Sequence, residues 1–366
     1  MARRDPTKLN TSNFPYEAYD FLRKWFTLLS LFAGVLLLVI NAPFGRFVPT
    51  GSQSSRHPLG FFNWQFLMVN GIRSWIVMEL VAPITFTVAF AKSPLSFYKV
   101  ALPDAFSPQG ILAALFLIHY LNRALLSPLR TPSRSKAHLI IPAIGVLFNL
   151  ANGFLIGSYL TSPFARMYLA GPSVFQRTSF RLGITLWAVG FVGNIVHDEI
   201  LLDIRRKAQA RKEKDAAEEK KSDKKKEHAV GEHYGIPTGL LYKYISYPNY
   251  FCEWIEWFGF ALAASPLPIP LDLDAIAEAP TLVAAVKMVL ETFQDTFVSL
   301  LFPSTWKAII QVPNYAYAPL LTPPWIFLIN EIFTMLPRAW KGHLWYKERF
   351  GDSYPKDRKA VIPFVF

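Results

Sequence analysis

The sequence predicts an all-α polytopic membrane protein, a bundle of about seven transmembrane helices around an internal cavity. Three observations carry that prediction. Of 366 residues, 52% are hydrophobic and only 17% are charged, where a soluble domain has about 25% charged. The mean hydropathy is positive, at +0.24. Mostly apolar runs near the ~20 residues that cross a bilayer recur at 24–42, 73–92, 109–127, 138–160, 179–203, 248–265 and 317–340.

The elements follow in order within one membrane domain, 1–366. Residues 1–69 hold an N-terminal tail, the first span and a loop; residues 70–366 hold the core. The opening "MARRDPTKLNTSNFPYEAYDF" is too long and polar for a secretory leader, so the first span is expected to be an uncleaved anchor. No internal repeat is visible, which argues against an inverted-repeat transporter. An insertion at 205–230 contains the charge run "RRKAQARKEKDAAEEKKSDKKK", read as a solvated loop or helix extension. It sets this loop in the cytosol, with "SPLRTPSRSKAH" and the C-terminus on the same side. The N-terminus is then lumenal, against the local bias of Arg3, Arg4, Arg23 and Lys24. A second insertion, 264–316, opens Pro-rich as "SPLPIPLDLD". It then repeats Lys287, Glu291 and Asp295 every four residues on an apolar helix, and is expected to lie in the membrane interface rather than span it.

Several functions are excluded. The net charge of +12 belongs to cytosolic loops and anionic lipid. The basic residues are not interleaved with aromatics as a nucleic-acid surface requires, so no nucleic acid is expected. The single cysteine, Cys252, permits no intramolecular disulfide and no Cys-based zinc site. No G-x-G-x-x-G after a strand, P-loop, G-x-S-x-G or H-E-x-x-H occurs.

The spans carry aligned polar groups. "YPNYFCEWIEW" sets Asn249, Glu253 and Glu256 at i, i+4 and i+7, on one helical stripe. "GNIVHDEILLDIRR" aligns Asn194, Asp198 and Arg205, with His197 beside them. "FLIHYLNRALLSP" aligns Tyr120, Arg123 and Ser127, with His119 next to Arg123. The second span holds Glu79, and the C-terminal part adds Arg338, His343, Tyr346 and Tyr354. One such group is ordinary interhelical glue. Four spans of aligned ionisable groups imply a shared polar cavity, because charges facing lipid are not tolerated. Arg123, Arg130, Arg134, Arg205 and Arg338 lie near cytosolic ends and suit a phosphate-bearing ligand.

Three blocks together strongly resemble the steroid 5α-reductase (3-oxo-5α-steroid 4-dehydrogenase) family. They are "GNIVHDEILLDIRR", "YGIPTGLLYKYISYPNYFCEWIEWFGFALA" and "LPRAWKGHLWYKERFGDSYPKDRKAVIPFVF". The resemblance covers about residues 70–366 outside the two insertions. It implies a seven-helix fold in the endoplasmic reticulum membrane in which NADPH reduces the C4–C5 double bond of a 3-oxo-Δ4 steroid. It implies cofactor-binding roles for Arg123, Asn194, Asp198, Arg205, Tyr234, Asn249, Glu253, Arg338, His343 and Tyr346. Glu79 and Tyr120 match the pair that binds the 3-keto oxygen. A tyrosine hydroxyl and a carboxyl kept protonated in a low-dielectric site both donate to an enolate oxygen. A lipophilic enone substrate, the bilayer and a monomeric state are expected. Gly342 departs from the His-His that many members carry, leaving His343; Met78 stands where many have a polar residue. A polyprenol reductase, a trans-2-enoyl-CoA reductase and a non-catalytic sterol-binding protein remain alternatives.

Overall fold

A computed structural model describes residues 14–41, 67–96, 101–132, 134–219, 235–269, 275–276 and 278–366. Tyr234, Arg3, Arg4 and the charge run beyond residue 219 lie outside the described residues. Each apolar run forms a helix: α1 Phe14–Val39, α2 Gly71–Lys92, α3 Pro108–Arg130, α4 Ile140–Leu160, α6 Thr178–Glu219, α7 Pro248–Ala264 and α10 Pro323–Phe350. Shorter elements complete the chain: α5 Pro163–Tyr168, α8 Leu282–Ser299 and α9 Pro303–Gln311. Among the described residues, α1 to α4 and α6 are the five helices long and apolar enough to cross a membrane. Helix α7 is shorter, at 17 residues, and α10 carries Glu331, Arg338, Lys341 and Lys347. A polytopic membrane protein stands, with five crossings supported by length and composition rather than seven.

Local chemistry sets the helix starts. The Asn70 side chain accepts the N–H groups of Ile72 and Arg73 at the head of α2, both at 3.0 Å, satisfying donors that a first turn leaves free. Ser107 caps Gly110 at 3.1 Å, ahead of Pro108 at the first position of α3. An antiparallel pair, β1 Met68–Val69 with β2 Ala137–His138, ties the start of α2 to the start of α4. Helix α6 continues through the head of the charge run to Glu219, so that part is a helix extension.

Two helix pairs make the bundle's closest contacts, α2 with α4 and α6 with α7. A side chain at Gly157 of α4 would begin 2.6 Å from the Phe86 carbonyl, and one at Gly183 of α6 would begin 2.5 Å from the Gly259 carbonyl. Small residues let backbones approach where lipid supplies no hydrophobic drive to associate. Between the pairs lies an aromatic core, with Phe86 stacked on Phe116 at 4.3 Å and Trp257 edge-on to Phe327 at 4.6 Å. Val77, Ile84 and Val88 of α2 and Val189 and Val192 of α6 are exposed on the outer face, the surface a bilayer would cover.

The basic pair on α1 is structural. Arg23 donates to the carbonyls of Tyr317, Ala318 and Leu321 at 3.3, 2.9 and 3.0 Å. Lys24 donates to the carbonyls of Ile310 and Val312, both at 2.7 Å. Both side chains are buried, so they are tertiary anchors rather than loop charges that report membrane orientation. On α8, Lys287 and Glu291 pair at 3.6 Å on the exposed face.

Candidate active site

The site grows from a distortion in α3. Residues Leu121–Leu126 are π-helical, and the Ser127 N–H reaches back to the Asn122 carbonyl. Such a turn carries an extra residue and favours functional sites. The Trp75 indole donates to the Arg123 carbonyl at 3.3 Å, partnering a backbone group within that segment.

Arg123 stands between two carboxylates. Its Nε lies 3.6 Å from Glu79 Oε1, and its NH1 lies 3.3 Å from Glu253 Oε2. Asn194 donates to the same Glu253 oxygen at 3.3 Å and to the Asn249 carbonyl at 3.0 Å. Asn249 donates in turn to Asp198 Oδ1 at 2.9 Å. Glu79, Arg123, Asn194, Asp198, Asn249 and Glu253 therefore form one chain of polar contacts across α2, α3, α6 and α7. The Tyr120 hydroxyl accepts from Asn152 at 2.9 Å and donates to Asn149 Oδ1 at 3.5 Å. Asn149 donates to the Met78 carbonyl at 2.7 Å, beside Glu79. The phenol is held firmly as an acceptor and loosely as a donor, so its proton is available to a ligand.

A cationic zone flanks this chain. The guanidinium groups of Arg134 and Arg123 lie 3.7 and 5.0 Å from the Trp75 ring centre. Burial, then the fields of Arg205 and Arg123, hold the Arg134 guanidinium down to about 9. Arg338 adds to that field and lies 5.7 Å from the Tyr250 ring. A guanidinium keeps its proton at neutral pH, so this crowding of like charge calls for an anion.

His343 and Tyr346 belong to a neighbouring cluster. Ser246 Oγ bonds His343 Nδ1 at 2.6 Å and the Tyr354 hydroxyl at 2.5 Å. Tyr346 stacks on Tyr354 at 5.5 Å. The C-terminal tail folds onto this cluster, with the Lys359 N–H bonded to the Tyr244 carbonyl at 2.8 Å. Gly342 has a local cause: a side chain there would collide with the Tyr247 hydroxyl. His197 bonds the Gly193 carbonyl and the Leu241 N–H, the glue role a lone histidine suggests.

Asn149, Asn152, Glu331 and Arg358 join the site without having been singled out from the sequence. Asn149 and Asn152 sit at i, i+3 in "FNLANGF", and that spacing was the available signal. Glu331 in "INEIF" acts electrostatically on Arg123 and Glu79. Arg358 is buried, and its Nε and NH1 have no hydrogen-bond partner among the described residues. Asn249 Oδ1 is likewise buried without a partner among them. Glu256 binds His119, Nδ1 to Oε1, at 2.7 Å.

Comparison with known proteins identifies a family. The family description 3-oxo-5-alpha-steroid 4-dehydrogenase matches residues 135–271 and 292–366. An uncharacterized protein of Schizosaccharomyces pombe is 33% identical over 94% of this chain and 99% of its own length. The 3-oxo-5-alpha-steroid 4-dehydrogenase 1 of Rattus norvegicus is 26% identical over 89% of this chain and 87% of its own. The steroid 5-alpha-reductase DET2 of Solanum lycopersicum is 27% identical over 70% of this chain and 69% of its own. With more than half of its length matched by the family description, and with the polar cluster lying inside a membrane bundle, this chain belongs to the 3-oxo-5-alpha-steroid 4-dehydrogenase family of oxidoreductases.

Proposed function

We propose that the protein reduces the C4–C5 double bond of 3-oxo-Δ4 steroids with NADPH, in the endoplasmic reticulum membrane, with the charged extension of α6 and the C-terminus in the cytosol. The observation that carries this reading is the Tyr120 hydroxyl, fixed by Asn152, weakly engaged by Asn149, and tied to the Glu79 backbone through Met78.

The residues present fit a phosphate-bearing dinucleotide. The crowded Arg134 guanidinium, the unpartnered nitrogens of Arg358 and the orphaned Asn249 Oδ1 are groups that such a ligand would satisfy. Arg123, Asn194, Asp198, Arg205, Tyr234, Asn249, Glu253, Arg338, His343 and Tyr346 would hold it, joined by Arg134 and Arg358. NADPH, when bound, supplies the hydride that adds to C5. The chain's own work is at the other end of the enone. Tyr120 and a protonated Glu79 donate to the 3-keto oxygen as charge builds there, each contributing about 3 kcal/mol. Phe116 and Trp257, which pack beside Tyr120, supply apolar walls for a flat ring system.

NADPH consumption by detergent-purified protein, with products weighed by mass spectrometry, tests the assignment. A 3-oxo-Δ4 steroid, a polyprenyl substrate and a trans-2-enoyl-CoA form the panel. The steroid alone is expected to gain two hydrogens. Turnover of one of the others in its place reassigns the substrate, and sterol binding without NADPH oxidation removes the catalytic reading.

A further inference from the structure

Trp75 lies one turn before Glu79 on α2, on the same face of the helix. Its indole N–H donates to the Arg123 carbonyl at 3.3 Å. That carbonyl belongs to the π-helical segment Leu121–Leu126, so the distorted part of α3 supplies the bond that pins the edge of the ring. A pinned edge fixes which way the face of the ring points.

That face carries Arg134. The centre of its guanidinium lies 3.7 Å from the Trp75 ring centre. An edge-on guanidinium would set an N–H between the two centres and could not come so close, so the two planes stack. The stem of Arg134 is placed by the backbone. A side chain at Gly71 would collide with the Ser135 carbonyl and begin 3.2 Å from Arg134 Cγ. Val69 pairs with Ala137 in the β1–β2 ladder. The loop after α3 is thereby packed against the start of α2, and Arg134 reaches Trp75 from it.

The two arginines at this ring are held by different means. Arg123 engages Glu79 and Glu253. Arg134 forms no hydrogen bond or ion pair among the described residues; its contact is the ring. A carboxylate partner would occupy its donors and cancel its charge. A ring face does neither. The attraction runs through the ring quadrupole, and the five N–H groups of a stacked guanidinium point outward in its own plane. Arg134 is therefore fixed in place with its donors and its charge free. Arg205 and Arg338 add their positive fields there, and part of the Arg134 surface is open, so an anion can reach it.

We propose, resting on the NADPH reading above, that Trp75 is a positioning residue for the cofactor: its ring holds Arg134 with the guanidinium N–H groups free to bind a phosphate. An arginine–phosphate pair is bidentate and needs a fixed plane, and the stacked ring sets that plane before the cofactor arrives.

Titrations of the full-length purified protein with NADPH, adenosine 2′-monophosphate and adenosine 5′-diphosphate test this role. Trp75→Leu removes the ring and should weaken NADPH binding about tenfold; Trp75→Phe keeps a weaker, unpinned face and should weaken it about threefold. In an Arg134→Ala background each change at Trp75 should have little further effect, because the ring then has no free guanidinium to hold. A merely structural fault would keep its full effect there. The nucleotide fragment that loses affinity in Trp75→Leu identifies the phosphate that Arg134 takes, and a loss with either supports the role. Wild-type affinity of both variants for NADPH, wild-type affinity for both fragments, or an equal loss with Arg134 present and absent overturns it. A wild-type protein that binds neither NADPH nor either fragment removes the NADPH reading, and this role with it. Melting in detergent controls for folding, and where Trp75→Leu fails to fold, Trp75→Phe in the two backgrounds decides.

Discussion

His119 Nδ1 lies 2.7 Å from Glu256 Oε1, with both side chains buried. One turn along, Arg123 meets Glu253 at 3.3 Å, so α3 and α7 are joined by two polar rungs with Tyr120 between them. The third polar group of the "YPNYFCEWIEW" stripe therefore braces the helix that carries Tyr120. Glu256→Ala should lower stability by about 1–3 kcal/mol, the cost of leaving a buried hydrogen-bonding group without its partner. Glu256→Gln keeps a hydrogen-bonding group and should lose markedly less. Melting of both variants in detergent checks the difference.

Tyr120→Phe and Glu79→Gln should each reduce kcat on a 3-oxo-Δ4 steroid by about 10²–10³, the effect of removing one donor to a developing oxyanion. NADPH affinity should change little, because neither group is assigned to the phosphates. Steady-state kinetics beside an NADPH titration separates the two effects.

Arg134 gives a prediction on cofactor affinity. Burial and then the fields of Arg205 and Arg123 disfavour its charge in the unliganded protein, and a guanidinium stays protonated, so a bound phosphate relieves that crowding. Arg134→Ala should weaken NADPH binding about 10- to 100-fold near neutral pH. Cofactor titrations of the two proteins read the difference.

Gly157→Ala and Gly183→Ala should each destabilise the bundle by about 1–3 kcal/mol, because the added carbon meets a backbone carbonyl that cannot move alone. Substrate affinity should hold in the fraction that folds. Thermal melting with a parallel binding assay is the check.

The helices were legible because each apolar run has one way to satisfy its backbone in lipid. Tyr120, Arg123, Asn194, Asp198, Asn249 and Glu253 were legible as stripes, and Glu79 as a single carboxylate in its span, because a polar group at membrane depth must find a partner. What stayed hidden depends on tertiary register. The π-helical Leu121–Leu126 leaves no mark in hydropathy. Lys24 looked like a loop charge because its partners, the carbonyls of Ile310 and Val312, lie in a distant insertion. Gly342 looked like a lost side chain until Tyr247 was seen to fill its place. Asn149 and Asn152 carry no charge and so draw no notice at membrane depth, although they bond the phenol of Tyr120.

The most direct test of the proposed reaction is to supply the purified protein with NADPH deuterated at C4 of the nicotinamide and a 3-oxo-Δ4 steroid, and to locate the label in the product. The expected result is a saturated ketone with one deuterium at C5, lost on Tyr120→Phe. Recovery of unreduced steroid with intact cofactor, or deuterium at C3 in an allylic alcohol, would contradict it.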